Sequence, residues 1–335
     1  MRTDRLGEVL LSTVAVDAVK EKYPACGISF VTSAYSRPLL EGRETIERII
    51  ETDTFEKKRV FLKAFRLSRV LRKYRFDTAI VLNPHKMLHL ACFFAGIPRR
   101  IGYARKWGSL LTKTIQDKRD EGLKHEIEYT YDLLDIIGAG GNITGPVLPV
   151  AEKEETALND ILSKKGIQDK EPFLVIHPGS SNPAKIWPKE KYKDLIRRIR
   201  TELNIKVSIL GERKEKAFID DILIGSDAGV ISLAGVLDLR LVAALLKRCS
   251  LFIGNDTGPM HIAAATGTPV IAVFRKDAPS TNPVRWRPWG DNHVVFHESG
   301  ECRAANGSIG HRCMKDVTVD AVFEAVREMV ETIDH

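Results

Sequence analysis

The sequence lacks the marks of a membrane-spanning or secreted protein. No apolar run reaches the roughly 18 residues that are needed to cross a bilayer. The first residues, MRTDRLGEVLLSTV, do not form the basic region, apolar stretch and small-residue cleavage site that a signal peptide requires. We therefore expect a cytoplasmic protein.

The sequence also lacks the cysteine and histidine spacings of a metal site. Its five cysteines are an odd number and are widely scattered, so we expect free thiols in a reducing compartment. The ten residues between Cys302 and Cys313 fit no ordinary zinc pattern, even with His311 between them. His85 and His89 are spaced i and i+4 but have no third ligand nearby in the sequence. We expect no bound metal, and packed or cleft-side roles for this histidine pair.

Two further absences narrow the function. No GxGxxG turn follows a first strand with an acid about 20 residues later, which argues against a nicotinamide dehydrogenase. The net charge of +7 favours acidic partners such as nucleic acid, anionic lipid or a phosphorylated substrate. Neither a zinc-finger spacing nor an aromatic-interleaved basic motif is present, so nucleic acid is the least favoured of these partners.

The chain does contain two successive series of alternating strands and helices. In the first series we predict helices over 7–22, 55–75 and 125–137 and strands over 28–31 and 78–82. In the second series we predict helices over 152–165, 189–203, 214–223 and 239–247 and strands over 173–176, 207–210, 230–232 and 269–274. The Gly/Pro-rich segment 138–149 separates the series and is predicted to be a linker.

This alternation predicts an α/β fold made of two doubly wound, Rossmann-like domains with parallel sheets. At 335 residues the chain is too long for one ordinary core. We predict domains over 1–145 and 150–317 that face a cleft, and a final helix over 318–335 that packs back toward the first domain. Only Met1–Asp4 precede the first helix, whereas a strand usually needs about 5–6 residues. The first strand is therefore either truncated at Met1 or a stub that begins there.

One informative turn follows a short apolar strand and precedes a helix of small residues. It consists of Gly254-Asn-Asp-Thr-Gly258, and the helix contains His261. At such a turn the N–H groups and the dipole of the helix N-terminus favour a phosphate. Taken alone, the turn is explained as well by an N-cap at Asp256 or Thr257.

A second turn, over 177–188, follows the predicted strand 173–176. Ser180 and Ser181 offer hydroxyl donors, and Lys185 offers a point charge for a phosphate. A surface loop with a solvated lysine is the alternative interpretation. The sequence Trp187-Pro188 argues against that alternative, because a packed indole and a fixed φ hold a loop in one shape.

Taken together, these segments resemble glycosyltransferase family 9, the bacterial heptosyltransferases. The matching segments are RLGEVLLS at 5–12, HPGSS at 177–181 with KIWP at 185–188, and GNDTGPMH at 254–261. Weaker agreement comes from His125 with its following helix and from the region of Cys302 and Cys313. The motifs occur in the family's order over almost the whole chain.

The resemblance implies a two-domain fold of the glycosyltransferase type B. It implies transfer of a sugar, typically heptose from ADP-heptose, to the lipopolysaccharide core, with inversion at the anomeric carbon and with no cofactor or metal required. The partners would be this nucleotide-sugar donor and an anionic lipid-linked glycan acceptor, with peripheral contact at the inner membrane surface. Carried over, the donor-binding residues are Ser180, Ser181, Lys185, Thr257, Gly258 and His261, together with Asp256 as a helix cap or a ligand of the donor sugar.

The resemblance also implies that Glu8 is the general base, because inversion by a single displacement needs a carboxylate to take the acceptor's proton. The family usually has Asp at this position, and Glu keeps the carboxylate on a side chain one methylene longer. Without the resemblance, Glu8 is better explained as an acid favourable to the helix dipole. A catalytically silent nucleotide-sugar-binding protein of the same fold is the alternative function.

Two basic segments are candidates for binding the acceptor. The helix predicted over 55–75 carries Lys63 and Arg66, and a second segment carries Arg99 and Arg100. A solvated helix face is the simplest interpretation of the first segment. An anionic lipid-linked acceptor at a membrane surface would also favour such cations, each worth about 1 kcal/mol near that surface.

Overall fold

The structure is a computed structural model that describes residues 1–52, 59–275, 282–297 and 312–333. Cys302 and His311 lie outside the described residues, and so does the side chain of Cys313. The chain divides into two compact units, Met1–Pro146 and Val147–His335. The boundary between them falls inside the segment predicted to be a linker.

The first unit alternates strands and helices. Its elements are α1 Leu6–Leu11, α2 Val14–Lys22, β1 Ser29–Thr32, β2 Arg48–Glu51, α3 Val60–Lys73, β3 Thr78–Val81, α4 Lys86–Phe94, β4 Arg99–Tyr103, β5 Lys113–Ile115 and α5 Glu126–Leu134. The single helix predicted over 7–22 is interrupted between α1 and α2. There the hydroxyls of Ser12 and Thr13 donate to the carbonyls of Glu8 and Leu10 at 2.7 and 2.8 Å. Such bonds compete with the regular helical pattern.

The strands of the first unit pair in parallel in two groups, β1–β2 and β3–β4–β5. The extended residues Met1–Thr3 lie between the groups. The Arg2 N–H donates to the Val31 carbonyl at 3.0 Å, and the Leu82 N–H donates to the Met1 carbonyl at 3.1 Å. The Met1 amino group also donates to the Ile80 carbonyl at 2.8 Å, which makes Met1–Thr3 a short stub parallel to β3. Glu8 therefore follows the carboxyl edge of this sheet.

One core cluster of the first unit lies between its strands and the helices α3 and α4, and a second one joins Val9 of α1 and Val16 of α2 to Phe30 of β1. Ala64, Leu67 and Leu71 line the buried face of α3. They pack with an apolar cluster that includes Val81 of β3 and Leu88 of α4. Their spacing of three and four residues is the helical period that predicted this helix.

The second unit contains one six-stranded parallel sheet. Its strands are β6 Phe173–His177, β7 Lys206–Ile209, β8 Val230–Ser232, β9 Leu251–Asn255, β10 Val270–Val273 and β11 His293–Phe296. Its helices are α6 Glu152–Lys164, α7 Lys189–Arg198, α8 Lys216–Leu223, α9 Leu239–Arg248, α10 Gly258–Ala265, α11 Pro283–Trp286, α12 Arg312–Asp316 and α13 Val319–Ile333.

The strand order of this sheet is β11-β10-β9-β6-β7-β8. The chain builds outward from β6 through β7 to β8, and then returns to the other side of β6 with β9. The order thus reverses between β6 and β9. Such a reversal leaves a crevice at the carboxyl ends of the two strands, and ligands of doubly wound folds bind there. Every residue of β6, β9 and β10 is buried, as expected for central parallel strands.

The final helix α13 packs on the second unit. Val322, Phe323 and Val326 are buried in the same core cluster as Leu195 of α7. Arg198 of α7 lies with its guanidinium 3.9 Å from the Phe323 ring centroid. These contacts describe α13 within the second unit, and its predicted packing toward the first domain stays a prediction.

Candidate active site

The crevice between β6 and β9 brings the two sequence motifs of the second unit together. His177 of β6 pairs in register with Gly254 of β9, so the loops after His177 and after Asn255 begin side by side. A Cβ on Gly254 would lie only 3.0 Å from the His177 carbonyl oxygen. Glycine is therefore needed where the two strands approach this closely.

Asn255 joins the loop after β9 to the loop after β6 by hydrogen bonds. Its side chain is fully buried, and its Oδ1 accepts a hydrogen bond from the Trp187 N–H at 3.1 Å. Its Nδ2 donates to the carbonyls of Pro178 and Gly179 at 3.0 and 3.3 Å. One amide thus fixes both ends of the loop that contains Ser180 and Lys185.

The Trp187 indole is fully buried, which confirms the prediction that it packs. Its Nε1 donates to the Val317 carbonyl at 3.1 Å, and its ring meets the Tyr192 ring edge-on at 5.0 Å. Pro188 then leads directly into α7. The loop is held at its end by packing as well as by hydrogen bonds.

Lys185 and Asp256, predicted separately as donor ligands, form an ion pair across the crevice. Both side chains are largely buried, with 14% and 9% of their surfaces exposed. The Ser180 hydroxyl accepts a hydrogen bond from the Asn182 N–H at 3.2 Å, and Ser181 is exposed. The crevice therefore contains one lysine whose charge is already oriented by a carboxylate.

The N-terminus of α10 opens at the same place. Thr257, not Asp256, occupies the N-cap position. The Thr257 hydroxyl donates to the Asn255 carbonyl at 3.3 Å and lies 3.3 Å from His177 Nδ1. In the described part of the chain no side chain caps the first N–H groups of this helix. Because α10 begins with Gly258 and Pro259 has no N–H group, the N–H groups of Gly258 and Met260 and the positive end of the helix dipole are available to an anion.

His261 lies one turn into α10. Its side chain is almost fully buried, and its ring lies edge-on to the Trp286 ring at 6.5 Å. This packing fixes the position of the His261 imidazole near the start of α10.

The sequence motifs did not point to Glu215. This carboxylate lies 3.6 Å from His177 Nε2, beside the turn that follows β6. Burial by itself would raise the pKa of Glu215, but the neighbouring His177 imidazole and nearby charges lower that pKa below its ordinary value. A Cβ on Gly179 would lie 2.1 Å from Glu215 Oε1, so this glycine makes room for the carboxylate. That close approach is visible only in the folded chain.

In the first unit, Glu8 is a half-buried acid on α1. Burial, together with the nearby Asp4 carboxylate, raises the pKa of Glu8 to about 7. The positive charge of Arg2 opposes the rise. Glu8 is thus poised to exchange a proton near neutral pH.

Arg2 is buried and anchors the segment before Glu8. Its guanidinium pairs with Asp4 at 2.7 Å and with Glu126 of α5 at 2.9 Å. Burial opposes the charge of Arg2, but the two carboxylates raise its pKa above the ordinary value. Arg119 lies 3.6 Å from the same Glu126 oxygen and 2.8 Å from Asp117. The segment before α1 is therefore held by a buried ionic network.

The structure separates the four basic residues proposed for the acceptor. Lys63 and Arg66 lie in the first half of α3. Arg99 and Arg100 begin β4, at the amino edge of the sheet, whereas Glu8 follows its carboxyl edge. The Arg100 guanidinium also donates to the carbonyls of Leu110 and Ile97 at 2.8 and 2.5 Å. Arg99 and Arg100 are therefore poorly placed to act with Glu8, because the five residues of β4 span about 16 Å from one edge of the sheet to the other.

The histidine pair has structural roles. His85 is the N-cap of α4, and its Nδ1 accepts a hydrogen bond from the Met87 N–H at 3.3 Å. His89 is fully buried, and its Nδ1 lies 3.0 Å from the Lys106 carbonyl. The predicted packed role is confirmed for His89.

In the described ranges no helix is both long enough and apolar enough to cross a membrane.

Comparison with known proteins places this chain in a family. The profile of glycosyltransferase family 9 (heptosyltransferase) matches residues 64–309. Lipopolysaccharide heptosyltransferase 2 of Salmonella typhimurium is 26% identical over 337 residues, which cover 97% of this chain and 96% of that protein. Lipopolysaccharide heptosyltransferase 3 of Escherichia coli K12 is 27% identical over 301 residues, which cover 87% of this chain and 84% of that protein.

Two solved structures share the fold. That of E. coli ADP-heptose LPS heptosyltransferase II has a TM-score of 0.83 at 24% identity and covers 100% of both chains. That of a family 9 glycosyl transferase from Veillonella parvula has a TM-score of 0.85 at 21% identity, covering 99% of this chain and 96% of the other. The predicted α/β fold with parallel sheets in two Rossmann-like units is thereby confirmed. Because the family profile matches well over half of this chain, the chain belongs to glycosyltransferase family 9 and is a glycosyltransferase.

Proposed function

We propose that this glycosyltransferase moves a heptose from ADP-heptose to the lipopolysaccharide core or a related cell-surface glycan, with inversion at the anomeric carbon. The relatives named as lipopolysaccharide heptosyltransferases support the sugar and the acceptor class. The E. coli structure named for ADP-heptose supports the donor. We place the reaction at the cytoplasmic face of the inner membrane, where a lipid-linked acceptor would be met.

The observation that supports the donor site best is the Lys185–Asp256 ion pair beside the uncapped start of α10. A diphosphate needs a cation and several N–H donors in one place. Lys185 supplies the charge, while Thr257 and the N–H groups that begin with Gly258 supply donors. When the diphosphate enters, it would compete with Asp256 for Lys185 and leave that carboxylate free for a sugar hydroxyl. Ser180 and Ser181 would add hydroxyl donors from the loop fixed by Asn255.

Glu8 is proposed as the general base. A base works best when its pKa lies near the operating pH, and the pKa of Glu8 is raised to about 7. In the reaction Glu8 takes the proton of the acceptor hydroxyl while that oxygen forms a bond to the anomeric carbon. The bond from this carbon to the diphosphate oxygen breaks, and its electron pair leaves with ADP. Lys185 and the α10 N-terminus stabilise the charge that develops on the leaving diphosphate.

Lys63 and Arg66 are proposed to bind the anionic groups of the acceptor. Both lie in the half of α3 that begins at the carboxyl edge of the first sheet, the edge that Glu8 follows. The role predicted for Arg99 and Arg100 is not retained, because they lie at the opposite edge. The first unit thus supplies the acceptor residues and the second unit the donor residues.

The donor site is tested by titrating ADP into Lys185→Ala and measuring the heat of binding. We expect the affinity for ADP to fall by roughly 10–100-fold, since one charge-assisted contact to a phosphate is lost. Lys189→Ala is the matched control, because Lys189 lies four residues on and pairs with Asp221 at the surface. An unchanged affinity in Lys185→Ala would overturn the assignment.

Transfer is tested by incubating the protein with ADP-heptose and a deeply truncated core lipid. We expect Glu8→Gln to bind the donor as wild type does and to lose roughly 10²–10⁴ in kcat. A wild-type protein that binds donor but transfers to no acceptor would favour the silent binding protein. A Glu8→Gln variant with normal kcat would leave the transfer proposal intact and remove Glu8 as its base.

A further inference from the structure

The outer face of α3 carries large apolar side chains that the core does not use. Phe61 is 62% exposed, Phe65 50% and Leu62 42%. The opposite face, with Ala64, Leu67 and Leu71, is the one buried in the core. Soluble surfaces seldom expose three large apolar residues within two turns of one helix, and such clusters mark interaction sites.

Trp107 extends this apolar surface beyond the helix. Its ring lies 5.9 Å from the Phe61 ring and is 39% exposed. Trp107 and Lys106 both have positive φ, at 67° and 48°, which is unfavourable for residues other than glycine. The contact between His89 Nδ1 and the Lys106 carbonyl holds this turn against α4. Strained backbone that packing keeps in place is found preferentially at functional surfaces.

Cations surround the apolar side chains. Arg66 and Arg69 are exposed on the same face of α3, and neither pairs with an acid among the described residues. The Lys86 ammonium lies 5.0 Å from the Trp107 ring centroid. Neither α3 nor α4 contains an acidic residue. We name Phe61, Leu62, Phe65 and Trp107, with Arg66, Arg69, Lys86 and Lys106, the aromatic–basic patch.

The patch lies at the edge of the sheet that Glu8 follows. Lys86 comes soon after β3 and Trp107 soon after β4, so both follow the carboxyl ends of parallel strands. Phe61 reaches the same edge through its contact with Trp107. A surface at this edge is where an acceptor held in a membrane would approach the proposed base.

We propose that the aromatic–basic patch docks the protein on the surface of an anionic bilayer. Exposed aromatic and leucine side chains enter the boundary between headgroups and acyl chains, while arginine and lysine bind the anionic headgroups. The absence of acids from α3 and α4 matches a negatively charged surface better than it matches a protein of mixed charge. The inference deepens the proposed function, since a lipid-linked acceptor places the reaction at a membrane.

Docking is tested by co-sedimentation with vesicles of phosphatidylcholine containing 30% phosphatidylglycerol, compared with pure phosphatidylcholine. We expect the wild type to bind the anionic vesicles, to bind the neutral ones at least tenfold less, and to be released by 0.5 M salt. Phe61→Ser with Phe65→Ser should reduce binding at least tenfold, and Arg66→Glu with Arg69→Glu should do the same. Both aromatic residues are exposed, so their replacement leaves the core intact.

The matched controls remove exposed apolar residues or cations elsewhere. Leu123→Ser with Ile224→Ser replaces side chains that are 73% and 74% exposed. Lys153→Glu with Lys164→Glu reverses two exposed charges on α6. Both controls should bind vesicles within twofold of wild type. Equal binding by the wild type and the patch variants would overturn the proposal, as would patch-dependent self-association in a wild type that ignores vesicles.

Transfer to a deacylated, soluble acceptor separates this proposal from the proposed function. The Phe61→Ser, Phe65→Ser variant should keep its kcat/KM within twofold on that acceptor and lose at least tenfold on the same acceptor in vesicles. Transfer without patch-dependent vesicle binding would overturn docking alone. Patch-dependent binding without any transfer would overturn the proposed function and leave docking in place.

Discussion

The Asn255 side chain holds the backbone of Trp187, accepting its N–H at 3.1 Å from the end of the neighbouring strand. Trp187 in turn donates from its indole to Val317. The loop that contains Ser180 and Lys185 is therefore held by Asn255 at the end of β9 and by the Val317 carbonyl just before α13. A loop held in this way is already shaped for a ligand before the ligand binds, which reduces the entropic cost of binding.

Replacing Asn255 tests this relationship. Asn255→Asp keeps an acceptor for the Trp187 N–H but removes the donor to Pro178 and Gly179. Each buried group left unsatisfied costs about 1–3 kcal/mol, so we expect a lower Tm. We also expect at least tenfold weaker ADP binding, because the loop with Lys185 loses its anchor. Calorimetric titration and thermal denaturation measure the two effects.

The control for this change is Asn159→Asp, which makes the same substitution at an exposed position of α6. Its Tm and its ADP affinity should match those of wild type. Loss of Tm without loss of ADP affinity in Asn255→Asp would mean that Asn255 stabilises the sheet but does not shape the site.

The pH dependence of transfer reports on Glu8. Because a general base must be ionised and the pKa of Glu8 is raised to about 7, kcat/KM should fall as the pH drops below 7. Burial is the main cause of the raised pKa, and the Asp4 carboxylate adds to it. Asp4→Asn should therefore move the acidic limb of the profile to lower pH. A profile that stays flat to pH 5 in wild type would argue against Glu8 as the base.

The Tm of the protein should depend on whether Glu8 is ionised. Its pKa in the folded chain, about 7, lies above the ordinary value of 4.5, so the folded state favours the neutral carboxyl. The stability that Glu8 contributes is present at low pH and is lost as the pH rises through 7. Glu8→Gln is neutral at every pH and should raise the Tm at pH 8.5, with little change at pH 4. The same Tm difference at both pH values would contradict the raised pKa of Glu8.

The Arg2–Glu126 pair should be sensitive to the loss of either partner. Both side chains are almost fully buried, but Arg2 also pairs with Asp4 and Arg119 lies 3.6 Å from Glu126, so removing one partner leaves the other charge only partly compensated. Breaking an isolated buried pair costs about 3–5 kcal/mol, so we expect Glu126→Gln to lower the free energy of unfolding by at most that amount. Denaturant unfolding measures the change. Lys124→Ala, which breaks the exposed pair with Asp132, should cost less than about 1 kcal/mol.

The alternation of strands and helices predicted the fold because buried parallel strands are read easily from sequence. β6, β9 and β10 each contain an apolar run of at least three residues, and each was predicted. Elements without such a pattern were missed. β4 begins with two arginines, β5 has only three residues, and α4 is apolar around its whole circumference, so none has a clear period.

The candidate site was predictable in part for the same reason. Ser180, Lys185 and Thr257 lie in turns that follow apolar strands, and turn residues can be recognised locally. Glu215 could not be found in this way, because its approach to His177 joins residues far apart in the chain. The Lys185–Asp256 pair and the raised pKa of Glu8 likewise depend on three-dimensional neighbours that no spacing encodes.

The stub Met1–Thr3 joins segments of the first unit that are synthesised at different times. Arg2 is hydrogen-bonded to Val31 and Met1 to Leu82, so these early residues bond to residues that are synthesised later. At about 5–20 residues per second, residue 82 follows residue 31 from the ribosome by several seconds. During that interval the two strand groups cannot be joined. We expect the amides of Arg2 and Leu82 to gain protection from hydrogen exchange in one late step, when the beginning of the chain closes the sheet.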